Sequence, residues 1–188
     1  VDGMLLTRAL EDDRALQYLS QVNFPTALTG TCRYDNIIQV DTDNEGAAEK
    51  MTTLLIGKGF RRFAFLVKDM SYNVDRKRHE GFCRALIKNG ISEKDQLFYN
   101  GSIRMEFLDA IIENIISKKV ECIICGDDEI CTMVLSRLQA EGYRIPKDVA
   151  IASLYNSTNL DCYSPAVTAV SVAASQMGGT AVRQLIQR

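Results

Sequence analysis

The sequence has few of the residues on which catalytic and metal centres most often depend. It contains one histidine, no tryptophan and three prolines among 188 residues. The histidine, His79, has no serine or acidic partner in a recognisable motif, and the chain has neither a Gly-x-Ser-x-Gly elbow nor a His-Glu-x-x-His helix. We therefore expect no enzyme activity, no metal and no cofactor, and we expect His79 to be an exposed residue near a helix start.

Long apolar runs and a strong net charge are also missing. No stretch approaches the roughly 20 apolar residues of a membrane helix, and no basic-then-apolar signal segment stands at Val1. The net charge of −2 gives the chain no general attraction for a phosphate backbone. With 46% hydrophobic and 24% charged residues, the composition is typical of a globular protein. It predicts a soluble protein with no membrane partner, and no direct DNA contact by this part of the protein.

The six cysteines do not follow the pattern of a secreted disulfide scaffold. Cys122, Cys125 and Cys131 lie in apolar runs, which favours reduced, buried thiols and a cytoplasmic location. Cys122 and Cys125 form a C-x-x-C pair, yet the segment between them resembles a buried strand, in which residues three apart point to opposite faces. A redox site is therefore disfavoured.

Short apolar runs alternate with amphipathic helical patterns along the chain. One helix follows Asn44, with Ala47, Met51, Leu54 and Leu55 on its apolar stripe, and two more lie near 108–116 and 130–138. This alternation predicts an α/β fold with a parallel sheet covered by helices on both faces. The predicted strands are 4–6, 26–28, 37–40, 63–67, 122–125, 149–152 and 167–170.

In parallel sheets, ligands bind beyond the carboxyl ends of the strands. The residues to inspect are therefore 7–8, 30, 68–73, 126–128 and 153–156. Among them, the acidic run 127–129 suits either a bound cation or the first turn of a helix, where negative charge meets the positive end of the helix dipole. The helix start is favoured.

Four segments carry longer patterns: VDTDNEGAA (40–48) with LLIGKGFRRFAF (54–65), RHEGFCRAL (78–86), GYRIPKDVAI (142–151) and SPAVTAV (164–170). In this order and spacing they resemble the effector-binding core of bacterial transcription regulators of the lactose-repressor and galactose-repressor family. Phe60 stands where the family usually has histidine, at a packing position.

The resemblance implies a periplasmic-binding-protein-like type I fold of two α/β lobes with a ligand cleft between them. The N-terminal lobe would comprise residues 1–40 and 170–188 and the C-terminal lobe residues 41–169. It also implies a homodimer that binds operator DNA through a helix-turn-helix headpiece, repressor function and a small-molecule effector, a sugar or sugar derivative. The headpiece and one strand–helix unit would precede Val1, and a final strand would follow Arg188. A transporter's solute-binding protein of the same fold is the alternative.

The ligand-binding residues that we expect come partly from the strand ends and partly from the family's pattern. Arg78 falls on the family's cleft arginine, whose guanidinium suits paired hydroxyls or a carboxylate. Tyr155 replaces an aspartate that in the family often binds sugar hydroxyls, and Gly126 replaces an asparagine. The full set is Thr7, Arg8, Tyr72, Asn73, Arg78, Asp127 and Tyr155.

Two features of the predicted site indicate the charge of the effector. Tyr155 replaces the family's aspartate, so one negative charge is missing, and its ring offers a surface for stacking. Arg8, Arg76, Lys77 and Arg78 would lie near one cleft. We therefore hypothesise an anionic effector, such as a sugar acid or a sugar phosphate. A neutral sugar is the alternative.

Overall fold

The chain forms two separate parallel β-sheets, and the computed structural model describes residues 2–101 and 105–188. The first sheet has the order β1-β2-β3 and the second has the order β5-β4-β6-β7-β8. We call the first sheet with its helices the N-lobe and the second with its helices the C-lobe. The strands are β1 (Met4–Thr7), β2 (Thr26–Thr29), β3 (Ile38–Val40), β4 (Phe63–Val67), β5 (Leu97–Asn100), β6 (Cys122–Cys125), β7 (Ala150–Ser153) and β8 (Thr168–Ala169).

Helices connect successive strands, as the alternation in the sequence predicts, except that β2 runs into β3 through a loop. Their bounds are α1 (Arg14–Gln21), α2 (Asn44–Gly57), α3 (Asn73–Lys88), α4 (Met105–Ser117), α5 (Asp128–Ala140), α6 (Thr158–Asp161) and α7 (Ala174–Ile186). No helix in the described part of the chain is long and apolar enough to cross a membrane. All seven predicted strands are present to within one residue at each end, and β5 is an additional strand that was not predicted.

The C-lobe core lies on both faces of its sheet. Every residue of β4 and β6 is buried, as expected for strands covered by helices on two sides. Cys122 packs into the cluster beneath α2 and α3, whereas Cys125 packs into the cluster beneath α4 and α5. The two thiols therefore point to opposite faces, as predicted, and all six cysteines are free.

The helices α2 and α3 pack closely on the same face of this sheet. Ala48, Met51 and Leu55 of α2 are buried there. Leu54 is 50% exposed, so its predicted place on the apolar stripe is wrong. The buried face of α2 is turned by about one residue from the predicted stripe, since it also includes Thr52 and Ile56. Phe60 does pack against this cluster, as predicted.

His79 is not exposed, contrary to prediction. It lies inside α3 rather than near its start, with its ring centroid 4.3 Å from that of Phe98 and 5.9 Å from that of Phe65. Burial lowers the pKa of His79. Its part in the fold is to fill the space between α3 and the edge strand β5.

The chain crosses between the two sheets twice. After β3 it passes through 41–43 into α2, and after β8 it returns through 170–173 to α7, which packs on β2 and β3. Thus the N-lobe is built from both ends of the described chain. Val1, the first residue of the predicted N-terminal lobe, lies outside the described residues.

Candidate functional site

A cavity of about 280 Å³ lies between the carboxyl ends of the two sheets. The turns that follow β1, β2, β3, β4, β6 and β7 all contribute to its wall, together with the first turns of α3 and α7. This is the location that parallel sheets favour for ligands. The lining residues are Arg8, Ala9, Thr29, Gly30, Thr31, Asp41, Thr42, Asn44, Lys68, Tyr72, Asn73, Val74, Asp75, Arg78, Asp127, Asp128, Tyr155, Val172 and Met177.

Arg78 is a buried cation on the cavity wall, with 7% of its surface exposed. Its Nη1 donates a hydrogen bond of 2.7 Å to the carbonyl oxygen of Gly126, which fixes the guanidinium against the end of β6. The described residues form no other hydrogen bond with it, so most of its five N–H donors remain for a ligand. Burial lowers the pKa of Arg78, although nearby carboxylates, Asp75 first, oppose that shift.

Asp127 has a structural role beside its place in the cavity wall. Its Oδ1 caps α5 by accepting from the backbone N–H of Ile130 at 2.9 Å, and its Oδ2 lies 2.9 Å from Nζ of Lys68. Asp128 and Glu129 occupy the first turn of α5, as the helix-start interpretation predicted. Within the described residues, no three potential metal ligands cluster in a suitable geometry.

The two lobes contact each other along one edge of the cavity. Residues 9–11 run antiparallel to residues 71–73, with a bridge between Leu10 and Tyr72. The backbone N–H of Asn73 donates to the carbonyl oxygen of Ala9 at 3.2 Å, and its Nδ2 donates to that of Thr31 at 2.7 Å. We call this contact the strap. Arg8, immediately before it, has a φ of 68°, a left-handed conformation that is costly for arginine.

The structure brings six of the seven predicted site residues together in this cavity. They are Arg8, Tyr72, Asn73, Arg78, Asp127 and Tyr155. Thr7 is exposed at the end of β1 and does not line the cavity.

The expected cluster of four cations does not form. Neither Arg76 nor Lys77 lines the wall, and Arg76 pairs instead with Glu11 and with Asn73. Alternate residues at the start of a helix point in different directions, so the run of basic residues in the sequence does not become one positive patch. The wall instead has three basic and four acidic side chains.

Several lining residues were missed from the sequence. Asp41 and Thr42 follow β3 directly, so the rule that ligands bind at the carboxyl ends of strands would have identified them. Asp75 was missed because an acidic residue in the first turn of a helix is common and carries no sign of burial. Val172 lies in the returning segment 170–173 and Met177 in the first turn of α7, where no sequence pattern marks a site.

A larger groove of about 1,040 Å³ lies at the opposite end of the C-lobe sheet. It is formed by residues that precede β4, β6 and β7, among them Arg62, Glu121 and Asp148. Several of its charged groups are already paired, such as Arg144 with Asp148 and Arg62 with Glu121. All of the residues that line this groove belong to the C-lobe. The cavity between the lobes is therefore the better candidate for a specific site.

The fold and the position of the cavity define a class of protein, and comparison with known families agrees. The model of the periplasmic binding protein-like domain matches residues 52–188. The chain belongs to this family, in the form of the effector-binding domain of LacI-family regulators.

Particular relatives cover the whole chain. The HTH-type transcriptional regulator CelR from Thermobifida fusca is 27% identical over 100% of this chain and 57% of its own length. A crystal structure of a LacI transcriptional regulator from Bacillus cereus is 32% identical, with a TM-score of 0.90 over 98% of this chain and 67% of that one. A CelR–cellobiose complex has a TM-score of 0.87 at 27% identity, over 100% of this chain and 59% of that one. The chain thus spans little more than half of CelR.

Proposed function

We propose that this chain is the effector-binding core of a bacterial transcription regulator that senses a sugar or sugar derivative in the cytoplasm. The observation that carries the proposal is the cavity between the two lobes, in which Arg78 is held in place by Gly126 while most of its donors remain unused. A ligand that touches both lobes favours one lobe orientation by its differential affinity, which is the physical requirement for a switch.

The cavity favours a small ligand rich in hydroxyl groups. Its volume of about 280 Å³ is near the lower limit of typical ligand pockets, about 300–1,000 Å³. Tyr72, Tyr155 and Met177 supply apolar surface, and Arg78, Asp41 and Asp75 supply polar groups of both signs. The similar fold of the CelR–cellobiose complex supports a sugar. An anionic derivative has less support than the sequence suggested, because Arg76 and Lys77 lie elsewhere.

The remaining parts of the proposal concern the complete protein. We propose that it forms a homodimer and binds operator DNA through a separate headpiece, as a repressor without enzyme activity. Similarity to an HTH-type regulator over all of this chain supports this assignment. We place the division between the lobes near residues 40 and 170, where the chain crosses between the sheets.

The alternative is a solute-binding protein of a transporter, which shares the fold. Similarity over the whole chain to transcription regulators favours the regulator. Six free cysteines, three of them buried, also suit a reducing compartment better than a secreted protein.

The deciding experiment measures sugar-dependent DNA binding by the complete protein. We expect it to bind a palindromic operator selected from random DNA, and we expect a sugar to change that affinity about 5-fold to 150-fold. Arg78→Ala should lose the sugar response, since each charge-assisted hydrogen bond contributes about 1.5–3 kcal/mol. Arg144→Ala, which removes an exposed arginine of the other groove, is the matched control and should respond normally.

Two results would contradict the proposal in different ways. Sugar binding by a protein with no affinity for any DNA would favour the solute-binding alternative. A sugar response that persists in the Arg78→Ala variant would place the effector site outside this cavity.

A further inference from the structure

Asp75 is an acidic residue whose position the fold alone does not explain. It lies in the first turn of α3, three residues before Arg78, with 7% of its surface exposed. It also lines the cavity between the lobes. Buried carboxylates in proteins are normally paired with a cation or satisfied by several hydrogen bonds, so the partners of Asp75 decide what it does.

The described residues satisfy Asp75 incompletely. Its Oδ2 accepts one hydrogen bond of 3.2 Å from the backbone N–H of Asp69, and the described residues offer no donor to Oδ1. Arg78 and Arg8 attract the carboxylate at a distance, without a hydrogen bond to it. In contrast, the neighbouring Asp127 uses one oxygen to cap a helix and the other to pair with Lys68.

The surroundings disfavour the negative charge of Asp75 on balance. Burial raises its pKa, and the repulsion of Asp127 acts in the same direction. The hydrogen bond from Asp69 and the attraction of Arg78 and Arg8 act against that shift without reversing it. The start of a helix usually stabilises the charged form of an acid and lowers its pKa. Burial outweighs that effect for Asp75. A buried carboxylate without a bonded cation costs stability, which points to a role outside the fold.

We propose that Asp75 is a ligand-contact residue that selects for a hydrogen-bond donor on the effector. Its Oδ1 accepts a hydrogen bond from a hydroxyl or amino group, while Arg78 donates to the adjacent oxygen of the same molecule. Adjacent hydroxyls of a sugar ring, or an amino group beside a hydroxyl, present this pair. A phosphate or carboxylate at the same place meets the charge of Asp75 and is rejected. This inference rests on the proposed function and narrows its ligand class.

The first test measures the melting temperature of the ligand-free chain. In Asp75→Asn, the amide oxygen still accepts from Asp69, and the buried charge is gone. We expect this variant to melt a few degrees above the wild type at pH 7. The gain should shrink as the pH falls towards about 3.9, the ordinary pKa of an aspartate, where the unfolded chain also becomes protonated. The matched control is the same substitution at an exposed position, Asp148→Asn.

Asp148 is an exposed carboxylate bonded to Arg144, which lowers the pKa of Asp148 to about 2. Its replacement should leave the melting temperature unchanged or lower it at pH 7. If Asp75→Asn melts at or below the wild-type temperature, Asp75 is a structural residue and the inference is overturned.

The second test is isothermal titration with cellobiose, glucosamine and glucose 6-phosphate as probes. A probe that binds the wild type should bind Asp75→Asn about ten-fold more weakly or worse, whereas Asp148→Asn should bind it normally. Equal affinity for the wild type and Asp75→Asn overturns the inference, and so does a wild type that prefers glucose 6-phosphate. If none of the probes binds, the sugar class of the proposed function fails, and the melting comparison alone decides the role of Asp75.

Discussion

Gly81 shows how a single residue determines the distance between two helices. It lies in α3 where that helix meets α2, and a Cβ built there would be 2.1 Å from the backbone carbonyl oxygen of Glu45. A backbone atom cannot move aside as the end of a side chain can, so any larger residue forces the helices apart. Because α3 also carries Arg78 and Asp75, this contact fixes the wall of the cavity as well as the core.

We therefore expect Gly81→Ala to lower the free energy of unfolding by about 1–3 kcal/mol, the usual cost of overpacking. Gly57→Ala is the matched control, because a Cβ at the end of α2 meets nothing within 4 Å. That variant should be neutral or more stable by about 0.4–1 kcal/mol, since alanine restricts the unfolded chain. Urea denaturation of the two variants measures both effects, and equal stabilities would contradict the close contact.

For single residues, the sequence predicted which side chains carry the site better than it predicted how buried each side chain is. The family pattern identified Arg78, which the structure places in the cavity. Asp75, Leu54 and His79 were missed or misplaced for one reason. Their burial depends on which neighbouring helix or strand covers them, and a single sequence contains no direct information about that neighbour.

Strands and helices were predicted well because their signals are local. Buried strands such as β4 are continuous apolar runs, and α2 ends at the first glycine of Gly57-Lys58-Gly59. The exception is β5, an edge strand whose residues alternate between half-buried and exposed, with Phe98 41% exposed. An edge strand needs no apolar run, and its pairing with β4 is a long-range contact that local patterns do not reveal.

Among the contacts between secondary-structure elements, the strap between the lobes is one that the sequence did not suggest. It joins the segment after β1 to the start of α3, and Asn73 is its centre because it bonds to the backbone of both Ala9 and Thr31. The strap joins the two lobes at one edge of the cavity, and we expect it to resist their separation.

Asn73→Ala removes the side-chain bond to Thr31 and the one that Asn73 accepts from Arg76. We expect faster amide hydrogen exchange in residues 9–11, whose backbone depends on the strap. Asn89→Ala is the control, because Asn89 bonds to Ala85 within the C-lobe and lies at the other end of α3. Unchanged exchange in residues 9–11 of Asn73→Ala would mean that the strap does not hold the lobes together.

For the whole molecule, the central feature is that both lobes contribute to one cavity. Arg8 and Thr31 come from the N-lobe, and Arg78, Asp127 and Tyr155 come from the C-lobe. We expect a ligand bound there to contact both lobes and so to couple its binding free energy to the lobe orientation. Val172 of the returning segment and Met177 of α7 line the same wall, so α7 also contributes to the site.

A site shared by both lobes is tested most directly by an NMR titration of the isotopically labelled chain with cellobiose, glucosamine and glucose 6-phosphate. We expect at least one of the first two compounds to shift backbone resonances of Arg8 and Thr31 together with those of Arg78 and Tyr155. Shifts confined to Tyr143, Arg144 and their neighbours in the opposite groove, or no shifts in the cavity with any of the three compounds, would contradict it.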